Sequence, residues 1–149
     1  MTTVLTTGCY DLFHFGHLRH LQACRVMGGQ LVVLLDSDAR IKRTKGPERP
    51  FIPQAERLAI VRELSCVTTA TVFDFDGDIE RAIKHFEVDI LIASREYADG
   101  GQVIGAEVVV ARGGRVAFTE RTDGVSTSLI IERIRNGSSY NVGRSEGVH

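Results

Sequence analysis

The chain has 149 residues, 43% of them apolar and 25% charged, enough for one domain with a real core. Its 18 Lys and Arg against 19 Asp and Glu leave a formal charge of -1, which argues against a general nucleic-acid binder. No apolar run approaches the roughly 18–20 residues that span a bilayer, and Met1-Thr2-Thr3-Val4 has neither a positive region nor an apolar signal core. A compact domain in the cytoplasm, with no membrane or nucleic-acid partner, is therefore expected.

Val4–Thr7 reads as a first strand, stopped by Gly8. From His17 to Met27 an apolar residue recurs every three positions (Leu18, Leu21, Cys24, Met27), an amphipathic helix ended by Gly28-Gly29. Leu31–Leu35 is a continuous apolar run of the kind covered on both faces of a sheet. A long polar loop is expected from Asp36 to Pro53. Helix follows over Gln54–Ser65, strand over Val67–Phe73, helix over Ile79–Phe86 and buried strand over Asp89–Ala93. Composition leaves Val103–Ala111 open between helix and strand; the crossover needed before the strand Arg115–Phe118 makes it a helix. Ser126–Arg135 closes as a helix. The domain spans residues 1–136, and 137–149, rich in Gly and Ser, is expected to be a flexible tail.

Strand and helix alternating about five times predict an α/β fold, a three-layer αβα architecture around a five-stranded parallel Rossmann-like sheet. Ligands of such sheets bind beyond the carboxyl ends of the strands. The loops of interest are therefore 8–17, 36–53, 94–102 and 119–126. The three cysteines are odd in number and fit no zinc spacing. Cys24 and Cys66 lie among apolar neighbours and are expected to pack as small hydrophobes.

The densest signal follows the first strand: Gly8-Cys9-Tyr10-Asp11-Leu12-Phe13-His14-Phe15-Gly16-His17. A helix N-terminus with free N–H groups favours bound phosphate. Two histidines three residues apart, with Gly16 leaving room between them, add donors toward charge developing on phosphorus. A bare His-x-x-His pair is common by chance and more often a surface pair. The longer string between a strand and a helix is not. Ser126 and Thr127 open the last helix, where hydroxyls ordinarily act as caps.

Thr7–His17 resembles the HxGH signature of the cytidylyltransferase-like nucleotidyltransferases. Two further segments match in order: Lys45-Gly46-Pro47-Glu48-Arg49-Pro50 with Arg57 after it, and Gly124-Val125-Ser126-Thr127-Ser128-Leu129-Ile130-Ile131-Glu132-Arg133-Ile134. Within the superfamily these segments are most similar to the heptose-1-phosphate adenylyltransferase domain of ADP-heptose synthesis. Glycerol-3-phosphate cytidylyltransferase is second, through Arg121–Thr127. The resemblance implies transfer of a nucleotidyl group, AMP favoured, from a nucleoside triphosphate with Mg²⁺ to a sugar phosphate such as heptose 1-phosphate, releasing pyrophosphate. The alternatives are CTP-dependent transfer to glycerol 3-phosphate or a related polyol phosphate, and a non-catalytic nucleotide sensor. A homodimer is implied as well.

By the same resemblance His14, His17 and Lys45 are the catalytic groups. Gly8, Cys9, Tyr10, Gly16, Arg121, Ser126 and Thr127 bind the nucleotide, and Asp11, Arg57 and Lys42 serve the acceptor phosphate. Beside phosphates, Asp11 is an organiser of its loop rather than a base. No metal ligand is implied on the protein itself. His20 is read as a partner or surface residue. Lys42, Arg43, Lys45, Arg49, Arg57 and Arg121 are expected to gather as a cationic edge. Ala93-Ser94-Arg95-Glu96-Tyr97 departs from both families, which leaves the base and the acceptor open.

Overall fold

A computed structural model of the chain describes residues 1–93 and 100–137. Five parallel strands, β1 (Thr3–Gly8), β2 (Gln30–Asp36), β3 (Thr69–Phe73), β4 (Ile90–Ala93) and β5 (Arg115–Phe118), form one sheet in the order β3-β2-β1-β4-β5. The helices of the described residues are α1 (Phe15–Val26), α2 (Asp38–Lys45), α3 (Gln54–Arg62), α4 (Asp76–His85), α5 (Ala106–Ala111) and α6 (Thr127–Asn136).

Side-chain alternation along the strands builds the layers. Val4, Leu31, Val33, Leu35, Ile90 and Ile92 point to one face and pack with Leu21 and Cys24 of α1 and Val61 of α3. Leu5, Val32, Leu34 and Leu91 point to the other, against Ile79 and Ile83 of α4 and Val109 of α5. Both faces being covered is why these strands read as unbroken apolar runs rather than alternating ones. Cys24 lies in the first cluster, where burial pushes its thiol up to about 12, and Cys66 packs against that cluster. The chain runs outward from β1 through β2 to β3, then returns to lay β4 on β1's other side. That reversal opens a crevice at the carboxyl ends of β1 and β4.

The expected loop over 36–53 contains a helix instead. Ser37 caps α2 by accepting the Arg40 backbone N–H at 3.0 Å, Ile41 is buried, and Lys42, Arg43 and Lys45 stand in the last turn. A cap, one apolar anchor and basic residues at the carboxyl end suffice when the rest faces water. Similarly α4 begins at Asp76, ahead of its apolar face, because the Asp78 carboxylate accepts the N–H groups of Asp74 and Phe75. α3 stops at Arg62, β3 starts at Thr69 and α5 spans only Ala106–Ala111. Gly137 caps α6 in the left-handed conformation. The expected tail beyond it, and Ser94–Tyr97 of the divergent loop, lie outside the described residues.

Candidate active site

The segment leaving β1 is built to deliver two histidines to the start of α1. Tyr10 and Leu12 take left-handed backbone conformations (φ 54° and 49°), which for residues other than Gly cost about 1–2 kcal/mol each. Core packing holds the turn: the Tyr10 ring is buried in the first cluster and meets His17 edge-on at 5.3 Å. Burial drives the Tyr10 phenol pKa well up, so its hydroxyl stays neutral.

His14 is the N-cap of α1, and its Nδ1 accepts the Gly16 N–H at 3.0 Å. His17 Nδ1 accepts the His14 N–H at 3.2 Å, which closes a reciprocal capping box. The two rings stack with centroids 3.7 Å apart. A Cβ on residue 16 would lie 2.8 Å from His14 Cε1, so only glycine leaves this stack undisturbed.

With both Nδ1 atoms accepting, the neutral rings carry their protons on Nε2. Burial lowers the His14 pKa and takes His17 down to about 3, with His14, His20 and Lys45 adding to the effect on His17. Two neutral rings, fixed by the backbone at a helix N-terminus and each with Nε2–H as its remaining donor, therefore line the crevice. Donors held this way suit an anion whose charge grows during reaction.

These rings open onto a cavity of about 750 Å³ across the carboxyl edge of the sheet. Gly8, Cys9, Tyr10, His14, Gly16, His17, Lys45, Arg121, Ser126 and Thr127, all expected from the sequence, line it. Lys45 Nζ lies 3.2 Å from Cys9 Sγ, which carries the end of α2 to the loop after β1. Ser126 caps α6 by accepting the Leu129 N–H at 3.1 Å, and Thr127 Oγ1 donates to the Asp11 carbonyl at 3.3 Å. The starts of α1 and α6 are thus tied together beside one cavity.

Asp11, Arg57 and Lys42 do not line it. Asp11 is completely buried; its carboxylate accepts from Arg49 Nε (3.1 Å) and the N–H groups of Phe51 and Ile52 (2.9 Å each). Burial alone would raise its pKa, but these donors hold it below the usual carboxylate value. It organises its loop through these bonds and lies outside the cavity lining. Arg57, 1% exposed, donates to the carbonyls of Ile52, Cys9 and Asp36 and pairs with Asp38 at 2.8 Å. It is a strut joining the loop after β1, the end of β2 and the start of α3. Lys42 is exposed on α2, away from the cavity lining.

Several lining residues carry no signal in the sequence motifs. His20 accompanies His17 on α1, with its ring nitrogens 2.9 Å from Thr6 Oγ1 and 2.8 Å from Thr119 Oγ1. It ties β1 to the segment after β5 from beneath the site, rather than standing at the surface. Asp36 and Arg40, at the end of β2 and in α2, form one wall. Among the described residues no group of three or more His, Cys, Asp or Glu side chains converges as a metal site, and no helix is long and apolar enough to cross a membrane.

The cytidylyltransferase-like family model matches residues 5–133. The chain belongs to that family. Among its cytidylyltransferase-like relatives, the Bifunctional protein HldE of Geotalea uraniireducens is 45% identical over 135 residues, and that of Citrifermentans bemidjiense 45% identical over 137. These alignments cover 91% and 92% of this chain but 27% of each relative, so the chain spans about a quarter of the length of the relatives it matches.

The lipopolysaccharide core biosynthesis protein of Thermoplasma volcanium GSS1 shares the fold, with a TM-score of 0.67 at 24% identity over 83% of this chain and 99% of that one. Thermotoga maritima TmcAL, solved with alpha-thio ATP, shares it at a TM-score of 0.60 and 13% identity, over 92% of this chain and 51% of that one.

Proposed function

We propose that the chain transfers an adenylyl group from ATP to a sugar phosphate of the heptose 1-phosphate type, releasing pyrophosphate. The observation that carries the reading is the stacked pair of neutral imidazoles lining the cavity, each held through Nδ1 so that Nε2–H is the donor left for a ligand. An oxygen of the acceptor's phosphate attacks the α-phosphorus, forming a new P–O bond, while the bond to the β-phosphate oxygen breaks and pyrophosphate departs. The acceptor phosphate is already an anionic nucleophile, so no general base is required. Catalysis then rests on alignment and on donors aimed at the α-phosphate and leaving group. His14, His17 and Lys45 supply those donors, and the tied starts of α1 and α6 hold the remaining phosphates.

Mg²⁺ fits as a passenger of the triphosphate, since the cavity offers phosphate donors rather than a carboxylate cage. When bound it would neutralise charge on the phosphate oxygens. ATP over CTP rests on the Lys45–Pro50 and Ser126–Ile134 resemblance and on the relatives above. A cytoplasmic homodimer belongs to the same reading and is checked by light scattering of the purified chain.

The test is a pyrophosphate-release matrix of ATP, CTP, GTP and UTP against heptose 1-phosphate, glycerol 3-phosphate and related esters. ATP with a sugar 1-phosphate is the expected pair. CTP with glycerol 3-phosphate would transfer the chain to the other subgroup, and triphosphate binding without turnover would make it a sensor. His14→Ala or His17→Ala is expected to lower turnover about 10²–10³-fold. Turnover of His14→Ala at the wild-type rate would end this mechanism.

A further inference from the structure

One wall of the cavity bears a group that a polyanion site has no use for. Asp36 ends β2 with its side chain 18% exposed, and its closest cation is Arg40 Nε at 3.6 Å, beyond hydrogen-bonding distance. Nothing among the described residues donates a hydrogen bond to this carboxylate; burial raises its pKa above the usual carboxylate value, and the charges of Arg40, Lys45 and Arg57 offset that only in part. Arg40 is engaged on its other side as well. It pairs with Asp76 at 3.0 Å, donates to the Asp74 carbonyl at 3.3 Å and lies over the Phe73 ring at 4.7 Å. The carboxylate thus lines the cavity with its hydrogen-bonding capacity unspent among the described residues.

Its place in the sheet says what it faces. The histidine pair follows β1 at the centre; Arg121, Ser126 and Thr127, proposed above for the nucleotide, follow β5 on one side. Asp36 and Phe73 end β2 and β3 on the other side. A nucleotide lying from the histidines toward α6 leaves the β2–β3 side to the acceptor. A carboxylate there repels the acceptor's phosphate but accepts hydrogen bonds from hydroxyl groups. We infer that Asp36, backed by Arg40, reads a hydroxyl on the carbon frame of a polyhydroxylated acceptor, and so helps set which sugar or polyol phosphate the enzyme takes. This deepens the proposed function and rests on it; the motif resemblance assigns Asp36 and Arg40 no role.

The experiment compares the wild-type chain with Asp36→Asn and Asp36→Ala, using ATP with heptose 1-phosphate and a set of its single-deoxy analogues. Thermal melts establish that each variant is folded, and Asp36→Asn keeps the shape and one hydrogen-bond acceptor if the alanine variant is not. Asp36→Ala is expected to raise the acceptor KM about 10–100-fold, the size of one hydrogen bond to a charged group, while the ATP KM stays within about twofold. Asp36→Asn should fall between. One deoxy analogue should lose a similar factor on the wild type and nothing further on Asp36→Ala, the non-additivity that marks a direct contact. A merely structural ion pair would move the melting temperature and leave this selectivity unchanged. An unchanged acceptor KM, a raised ATP KM, or equal losses for every analogue on both proteins would overturn the inference while leaving the proposed function standing. A wild-type protein that releases pyrophosphate with no acceptor would instead remove the proposed function, and this inference with it.

Discussion

Arg57→Met separates a strut from a ligand. The substitution keeps most of the buried stem but removes the donors serving the Ile52, Cys9 and Asp36 carbonyls, at 2.8, 2.6 and 2.9 Å, and the partner of Asp38. Asp38 has 34% of its side chain in solvent and is rehydrated at small cost. The three carbonyls are less accessible, and at about 1–1.5 kcal/mol each the loss comes to ~3–4 kcal/mol. For a domain of this size about 2–4 °C of melting temperature goes with each kcal/mol, so a fall of roughly 10 °C is expected in a circular-dichroism melt. Arg57→Lys should fall nearly as far, because one ammonium cannot bridge three carbonyls and a carboxylate that lie in different directions. A phosphate ligand would behave differently, since lysine keeps the charge and a surface-like position tolerates methionine. If Arg57→Met melts within about 2 °C of wild type while the acceptor KM rises tenfold or more, the guanidinium leaves its carbonyls on binding, and the strut is wrong.

Two further outcomes follow from the histidine stack. The folded His17 takes a proton only near pH 3, against 6.5 for an ordinary imidazole, so the unfolded chain binds the proton first. Its contribution is complete above pH 6.5 and is lost as pH falls, by about 1.4 kcal/mol per unit. Between pH 6.5 and 5 that amounts to ~2 kcal/mol; urea titrations at pH 7 and pH 5 should show wild type losing about that much more than His17→Gln, and parallel losses would contradict the cause given. Gly16→Ala places its methyl 2.8 Å from His14 Cε1. It should leave the chain folded but cut pyrophosphate release about 10–100-fold by moving the ring, and wild-type turnover would show that the stack is not part of the reacting geometry.

What was legible in the sequence and what was not divides along a physical line. Strands buried on both faces announce themselves, because Leu31–Leu35 and Ile90–Ala93 have no polar face to confuse the pattern. The histidine pair is equally legible, since its capping geometry is local and the string from Gly8 to His17 contains both partners of each bond. α2 was missed because its stability is in Ser37, Ile41 and the terminal charges rather than in an apolar stripe. The internal bonds of Asp11 and Arg57 were not legible, because an ionised side chain reads the same in sequence whether it meets a ligand or a neighbouring backbone group. Only the tertiary approach of residues 9, 36, 52 and 57 decides between these. Asp36 and Arg40 were invisible for the converse reason: a strand-end acid and a helix arginine are ordinary until the sheet order places them on the cavity wall.

The same distinction changes how the site handles charge. Of the six cations expected to gather at the sheet edge, only Lys45 and Arg121 line the cavity. Lys42 stands off on α2, Arg43 pairs with Asp74 and Arg49 with Asp11, and Arg57 is spent on carbonyls and Asp38. Among the described residues, free cations are therefore too few to account by charge alone for binding the triphosphate proposed above. The balance falls to neutral donors that need no counter-ion: two imidazole N–H groups held by backbone amides, and the starts of α1 and α6 joined through Thr127 and the Asp11 carbonyl. Fixed dipoles of this kind stabilise charge that appears only in the transition state without a desolvation cost at that moment. A chain with a net charge of -1 can build the proposed transfer site in this way, because the discrimination lies in where its few donors are fixed and not in how many cations it carries.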